Sequence, residues 1–212
     1  PQQLAKKLPP DSIRYNSRVT EIDGNVLKLE SGDCLEADEI VVATEEHSLR
    51  RLITSAKVRE SVGETCMYFG TDWAPPHKDP FLIINGDENG PVNNLAFPSM
   101  VSDQYAPEGK TLIAAIVLDQ EDRQRDDLEA LVRGQCRSWY GAAVDSWEHI
   151  RSYQIDHALP EQSPPTGSPY KKPQYIWPHV QICGEFQVLP GLQWSLISGR
   201  LAALNIIAAN TR

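Results

Sequence analysis

The residues best suited to chemistry lie near the carboxyl end of the chain, where Gly184 and Glu185 follow the short apolar segment 180–183. Pro190 and Gly191 come next, and a segment that is apolar nearly all round predicts a helix after them. A carboxylate can accept hydrogen bonds from sugar hydroxyls, and the free N–H groups at a helix start attract anions. The pattern therefore predicts a site for a polar cofactor that carries phosphate.

A second informative region lies near the amino end. Residues 12–22 predict a strand and residues 26–29 predict another, with a turn at Gly24 between them. Residues 35–44 predict a further strand, whose apolar end (Ile40 to Ala43) is typical of a buried parallel strand. Thr44 then has the side chain of a helix N-cap.

Together, and in this order, the two regions resemble the FAD-dependent amine oxidase and phytoene desaturase-like flavoproteins. The resemblance implies an α/β fold, in which a partial Rossmann-like FAD/NAD(P)-binding domain carries an inserted substrate domain built on an antiparallel sheet. It divides the chain into residues 1–45 (second part of the FAD-binding domain), 46–175 (substrate domain) and 176–212 (closing strand and helix). The first and last segments are expected to meet in space.

The resemblance also implies which residues contact FAD. Val19 would act through its backbone, Glu185 through its carboxylate, and Trp194 stands where relatives usually carry a small residue beside the flavin ring. The full set of predicted cofactor-binding residues is Val19, Gly184, Glu185, Trp194 and Ser195. Gly199 is expected to allow close packing of the last helix on the sheet.

The catalytic residues are unknown from the sequence. The active-site lysine of amine oxidases in this family would be expected near Thr65 or Cys66, and one cage aromatic near Gly191. Neither side chain is present, which argues against amine oxidation itself, and no catalytic residue is assigned. A metal site is not expected, because the five histidines show none of the common ligand spacings.

The family's opening Gly-x-Gly-x-x-Gly turn has no counterpart among the 13 glycines. We therefore expect this chain to be the carboxy-terminal portion of a longer protein. FAD is expected in that full-length protein and not in the 212-residue chain alone.

The middle of the chain predicts the sheet of the substrate domain. Four apolar segments are separated by short turns, which favours antiparallel pairing: residues 66–69, 81–84, 94–97 and 112–117. A helix is predicted from Asp126 in capping-box style and ends before Gly141, and residues 147–155 predict another strand. The proline-rich residues 160–178 are expected to form an extended crossing back to the first domain.

The composition argues against some classes of binding partner. A net charge of −9 argues against nucleic acid, and no apolar run reaches the ~20 residues that a membrane span needs. The four separated cysteines favour a reducing compartment, cytoplasmic or plastid-like, and the oligomeric state is unknown.

These observations favour an FAD-dependent oxidoreductase acting on a small or medium apolar substrate. Two alternatives stay open: a carotenoid- or porphyrinogen-type desaturase or isomerase, and a non-catalytic module that kept the fold without the cofactor.

Overall fold

The structure is a computed structural model that describes residues 2–54, 56, 60–87, 89–118, 125–161 and 174–210. The chain divides into two compact units. The first comprises Pro1–Glu60 with Pro160–Arg212, and the second comprises Ser61–Leu159. The sequence predicts these two boundaries at 45/46 and 175/176, whereas the compact units divide at 60/61 and 159/160.

The first unit begins with a short helix, α1 (Gln2–Ala5), and an antiparallel meander of β1 (Val19–Asp23), β2 (Val26–Leu29) and β3 (Cys34–Glu36). The strand predicted over residues 12–22 is wrong in its first seven residues. Asn16 has a φ of 54°, in the left-handed region, which interrupts an extended strand. The turn predicted at Gly24 is confirmed, and its φ of 60° is readily adopted by glycine.

A second sheet of the first unit contains β4 (Ile40–Val42), β10 (Tyr175–Trp177) and β11 (Val180–Ile182), in the order β10-β11-β4. β11 runs parallel to β4, with Val180 opposite Ile40 and Ile182 opposite Val42. The predicted meeting of the amino-terminal and carboxy-terminal segments is therefore confirmed. The single strand predicted over 35–44 is instead split between β3 and β4, which lie in different sheets.

Two helices of the first unit follow strands: α2 (Glu46–Leu52) after β4, and, near the carboxyl end, the 19-residue α5 (Leu192–Asn210). The predicted N-cap at Thr44 is wrong, because Glu45 occupies the cap position in an extended conformation. Leu49 and Ile53 pack with Ile22, Val42, Val180 and Phe186 in one buried cluster. This cluster joins both sequence segments of the unit. Most of the predicted crossing over 160–178 lies outside the described residues.

The second unit is built on a five-stranded sheet in the order β6-β7-β8-β5-β9. Its strands are β5 (Ser61–Thr71), β6 (Ile83–Ile84), β7 (Val92–Ala96), β8 (Thr111–Val117) and β9 (Glu148–Pro160). β5 pairs antiparallel with β8, and so do β6 with β7 and β7 with β8, which confirms the predicted pairing.

Helices α3 (Pro98–Val101) and α4 (Leu128–Tyr140) complete the second unit. Val132 and Cys136 of α4 are fully buried in a cluster with Met67 and Phe69 of β5. The predicted capping box is wrong: the N-cap, Asp127, makes no capping hydrogen bond, and its carboxylate accepts hydrogen bonds from the Arg125 guanidinium. No helix in the described part of the chain is long and apolar enough to cross a membrane.

Candidate functional site at the start of helix α5

The turn after β11 requires glycine at its first position. Gly184 has a φ of 154°, which side-chain-bearing residues rarely adopt. A Cβ atom added there would also lie 2.8 Å from Cδ1 of Phe186, closer than a normal carbon contact. The backbone therefore turns sharply at the end of the strand and directs Glu185 into a short 3-10 helix (Glu185–Gln187).

Glu185 bridges this turn to the start of α5. Its Oε2 atom accepts a hydrogen bond from the amide N–H of Gly191 at 2.7 Å. Across the described residues, no hydrogen bond reaches the other carboxylate oxygen, Oε1. One oxygen therefore holds the loop between the turn and the helix, and the other remains available as an acceptor.

The first turn of α5 leaves backbone donors free. The amide groups of Trp194 and Ser195 both donate to the carbonyl oxygen of Gly191, at 3.1 Å each. The amides of Leu192 and Gln193 find no acceptor within the described part of the chain. Unpaired N–H groups at a helix start carry partial positive charge and favour anions.

Ser198 of α5 also fixes the turn, and the sequence did not predict it as a site residue. Its side chain is fully buried, and its Oγ accepts a hydrogen bond from the amide N–H of Gly184 at 3.1 Å. The available signal was weak, because Ser198 is one of two serines in the first half of the helix, with Ser195 one turn earlier. Glu185 and Ser198 together attach both ends of the turn to α5.

A polar network continues from Ser198 along the helix, from partly buried to exposed positions. Gln174 Nε2 donates to the carbonyl oxygen of Ser198 at 3.5 Å, and Asn205 Nδ2 donates to Gln174 Oε1 at 2.5 Å. Gln181 is fully buried in β11, and its Nε2 has no hydrogen-bond partner among the described residues. Burial raises the pKa of the neighbouring Cys183 thiol, which favours its neutral form.

The remaining predicted contacts are distributed as follows. Ser195 Oγ donates to the carbonyl oxygen of Gly191 at 3.4 Å, and Trp194 is half-buried in the same helical turn. Val19 lines a cavity of about 720 Å³ between the meander, β4 and α2. The lining of that cavity does not include Gly184, Glu185, Trp194 or Ser195. The structure thus groups four of the five predicted residues, with Val19 in a separate cavity.

Gly199 lies in α5, whereas Thr65 and Cys66, where the family's lysine would be expected, lie in β5 of the second unit. A Cβ atom at Gly199 would meet nothing within 4 Å, so the expected close packing at this glycine is wrong. Thr65 and Cys66 are buried in β5, and burial raises the pKa of the Cys66 thiol. Cys66 therefore favours its neutral thiol form.

Comparison with known proteins agrees with this arrangement of strands, turn and helix. A family model described as flavin containing amine oxidoreductase matches residues 1–207. The chain belongs to this family. No curated protein matches the chain.

Solved structures share the fold of this amine oxidoreductase family member at low sequence identity. Reduced UDP-galactopyranose mutase is 14% identical, with a TM-score of 0.69 over 88% of this chain and 45% of its own. A putrescine oxidase redesigned in cofactor binding is 11% identical, with a TM-score of 0.63 over 98% of this chain and 51% of its own. An oxidoreductase from Methanosarcina mazei is 10% identical, with a TM-score of 0.64 over 89% and 49%. The chain thus spans about half the length of each structure.

Proposed function

We propose that this chain is the carboxy-terminal portion of an FAD-dependent oxidoreductase that acts on a small or medium apolar substrate. The observation that carries the proposal is the Glu185 carboxylate, held by Gly191 at the start of α5 with its second oxygen available. Membership of a flavin-containing family supports FAD as the cofactor.

The residues at this turn fit part of FAD. Oε1 of Glu185 is an acceptor for a sugar or ribityl hydroxyl, and the free amides of Leu192 and Gln193 are donors for anionic or carbonyl oxygens. In this proposal Gly184 allows close backbone approach, Ser195 and Trp194 line the flavin side, and the backbone of Val19 contacts the adenine.

The contacts to the pyrophosphate are proposed to come from outside these residues. A glycine-rich turn supplies them in dinucleotide-binding folds, and the 212-residue sequence contains no Gly-x-Gly-x-x-Gly spacing. We expect the 212-residue chain alone to retain no FAD. A purified sample with one equivalent of bound flavin would contradict this part of the proposal.

Bound flavin supplies the hydride- or electron-transfer chemistry, while the protein supplies position and electrostatics. Glu185 orients the cofactor by accepting a hydrogen bond, and α5 offers the partial positive charge of its first turn. The neutral Cys183 beside the turn adds no competing charge. These roles require the side-chain oxygens of Glu185 as acceptors and the unusual backbone conformation of Gly184.

The test is flavin retention after Glu185→Ala in a protein of the relatives' full length. Hydrogen bonds to charged groups contribute about 1.5–3 kcal/mol, so FAD affinity should fall by roughly ten- to a hundredfold. Glu108→Ala removes an exposed carboxylate from a loop of the second unit and is the matched control. Equal flavin retention in the two variants would contradict the assignment of Glu185.

The alternative of a non-catalytic module is favoured by Trp194, which stands where relatives usually carry a small residue beside the flavin ring, and by the absent Gly-x-Gly-x-x-Gly spacing. The same experiment separates it from the oxidoreductase. A full-length wild-type protein that binds no flavin would favour the module, whereas a flavin that is reduced by substrate would exclude it.

A further inference from the structure

One face of the five-stranded sheet in the second unit is a groove. Alternate residues of a strand point to opposite faces. Met67 and Phe69 of β5 lie in the buried core, whereas Cys66 and Tyr68 line a cavity of about 790 Å³ on the other face. This sheet-face groove has lining from β5, β7, β8 and β9.

The middle of the groove is apolar and uncharged. Ala96, Ala114 and Cys66 contribute small side chains, while the rings of Tyr68 and Tyr153 form an edge-to-face pair with centroids 5.9 Å apart. The hydrogen bond with Cys66, followed by burial, raises the pKa of Tyr68 to about 12. The Tyr68 hydroxyl is therefore neutral at physiological pH, and the groove offers aromatic rings and small side chains to an apolar molecule.

Among the residues that the structure describes, two charged side chains line the groove, Arg151 and Glu64. The Arg151 guanidinium lies over the ring of Tyr153, 5.7 Å from its centroid. Within the described residues, Arg151 has no carboxylate partner. A guanidinium held on an aromatic ring keeps its planar fork of N–H donors free for a bidentate carboxylate.

The two charges lie toward opposite ends of the groove. Tyr68 contacts Tyr153, and Ser61 contacts His157, so β5 and β9 run antiparallel. A Cβ at Gly70 would touch Ile150, which places Arg151 near that end. Glu64 precedes Gly70 by six residues of β5, which corresponds to about 20 Å along an extended strand. Glu64 therefore does not neutralise Arg151.

We propose that the sheet-face groove binds an elongated apolar molecule with a ring and one terminal carboxylate, the ring against Tyr68 and Tyr153 and the carboxylate on Arg151. The identification of this ligand as the substrate class rests on the proposed function. The binding itself uses only residues of the second unit and needs no flavin.

The experiment compares three probes of one shape and different charge: phenylbutyrate, phenylbutanol and phenylbutylamine. Calorimetric titration of the 212-residue chain should give the carboxylate at least tenfold tighter binding than the alcohol or the amine. Equal or tighter binding of the amine, or no measurable binding of the carboxylate, would overturn the proposal.

Variants assign the preference to the arginine. Arg151→Gln should weaken phenylbutyrate binding about tenfold and leave phenylbutanol binding unchanged, since only the charged contact is lost. Arg137→Gln removes an exposed arginine of α4 that does not line the groove, and it should change neither affinity. An unchanged carboxylate affinity in Arg151→Gln would refute the assignment.

A third variant tests the aromatic wall. Tyr153→Ala should weaken all three probes, and the carboxylate most, because the ring that holds the Arg151 guanidinium is lost as well. Tyr153 is 46% exposed, so its truncation should cost the fold little. Flavin retention in a full-length protein gives the independent readout. A protein that retains flavin but shows no carboxylate preference contradicts this inference alone. Carboxylate binding without flavin retention contradicts only the proposed function.

Discussion

The carboxylate of Glu185 accepts a hydrogen bond from the amide of Gly191 at 2.7 Å, across six positions of sequence. This contact makes Glu185 a structural residue as well as a candidate ligand of the cofactor. A loop that begins at the end of a strand is thereby closed onto the first turn of a helix. The two roles use different oxygens of one side chain, so they can be separated by substitution.

Glu185→Ala and Glu185→Gln are expected to differ in stability. Alanine removes the acceptor for the Gly191 amide and should lower the free energy of unfolding by about 1–2 kcal/mol. Glutamine retains a side-chain oxygen at the same reach and should recover at least half of that loss. Urea denaturation of both variants beside the wild type measures the difference. Equal stability of alanine and glutamine would mean that the hydrogen bond contributes nothing.

Ser198→Ala should destabilise the chain more than Ser195→Ala. Ser198 is fully buried and accepts from the amide of Gly184 at 3.1 Å, so alanine leaves the partly buried N–H of Gly184 unpaired. Such a loss costs about 1–3 kcal/mol. Ser195 is half-buried and is a donor to a helical carbonyl at 3.4 Å, so its removal should cost under about 0.5 kcal/mol.

Thermal and urea denaturation of the two serine variants provide the comparison. Both substitutions lie on α5 and replace the same side chain, so helix propensity changes equally. Similar destabilisation of the two variants would contradict the role of Ser198 in holding the turn.

Much of the fold could be predicted because it follows from local patterns. The apolar run at Ile40 to Val42 and the segment at Val180 each match a buried strand, and their parallel pairing completes one sheet. Strand and helix ends were predicted less well. The early strand was extended through Asn16, whose left-handed conformation is not visible in a pattern of apolar residues.

The candidate site was predicted in its residue types and missed in its connections. Gly184 and Glu185 stand out locally as an acidic turn between a strand and a helix. The bonds that fix them involve Gly191 and Ser198, and they depend on how a loop returns to a helix. Thr44 shows the same limit at a helix start, because a good capping side chain does not determine which residue adopts the cap conformation.

Two glycine substitutions are expected to have opposite effects. Gly184→Ala places a side chain at a φ of 154° and within 2.8 Å of the Phe186 ring, which should cost about 2 kcal/mol or more. Gly199→Ala adds a methyl group to the interior of α5, where nothing lies within 4 Å. It should stabilise the chain by about 0.5–1 kcal/mol, the difference in helix propensity. Urea midpoints that move in the same direction would contradict this account of the two positions.

The final prediction concerns the pH dependence of stability through Cys136. Burial raises the pKa of this thiol from 9.0 to about 12 in the folded chain. Below pH ~9 the thiol is protonated in both the folded and the unfolded states, so its stabilising contribution is complete. As pH rises further, the unfolded state loses the proton and the folded state keeps it. The free energy of unfolding should therefore fall by about 1.4 kcal/mol per pH unit from this group until the folded pKa is reached.

Cys136→Ala removes this contribution, and Cys34→Ala is the matched control because the Cys34 thiol is exposed. Urea denaturation between pH 8 and about 11 should give a shallower loss of stability in Cys136→Ala than in the wild type, and a wild-type slope in Cys34→Ala. The slopes are compared, since the alanine at 136 also leaves a small cavity that lowers stability equally at every pH. Tyr68, which also titrates in this range, is present in all three proteins, so its contribution cancels. Parallel curves for Cys136→Ala and the wild type would show that the thiol reaches solvent in the folded chain.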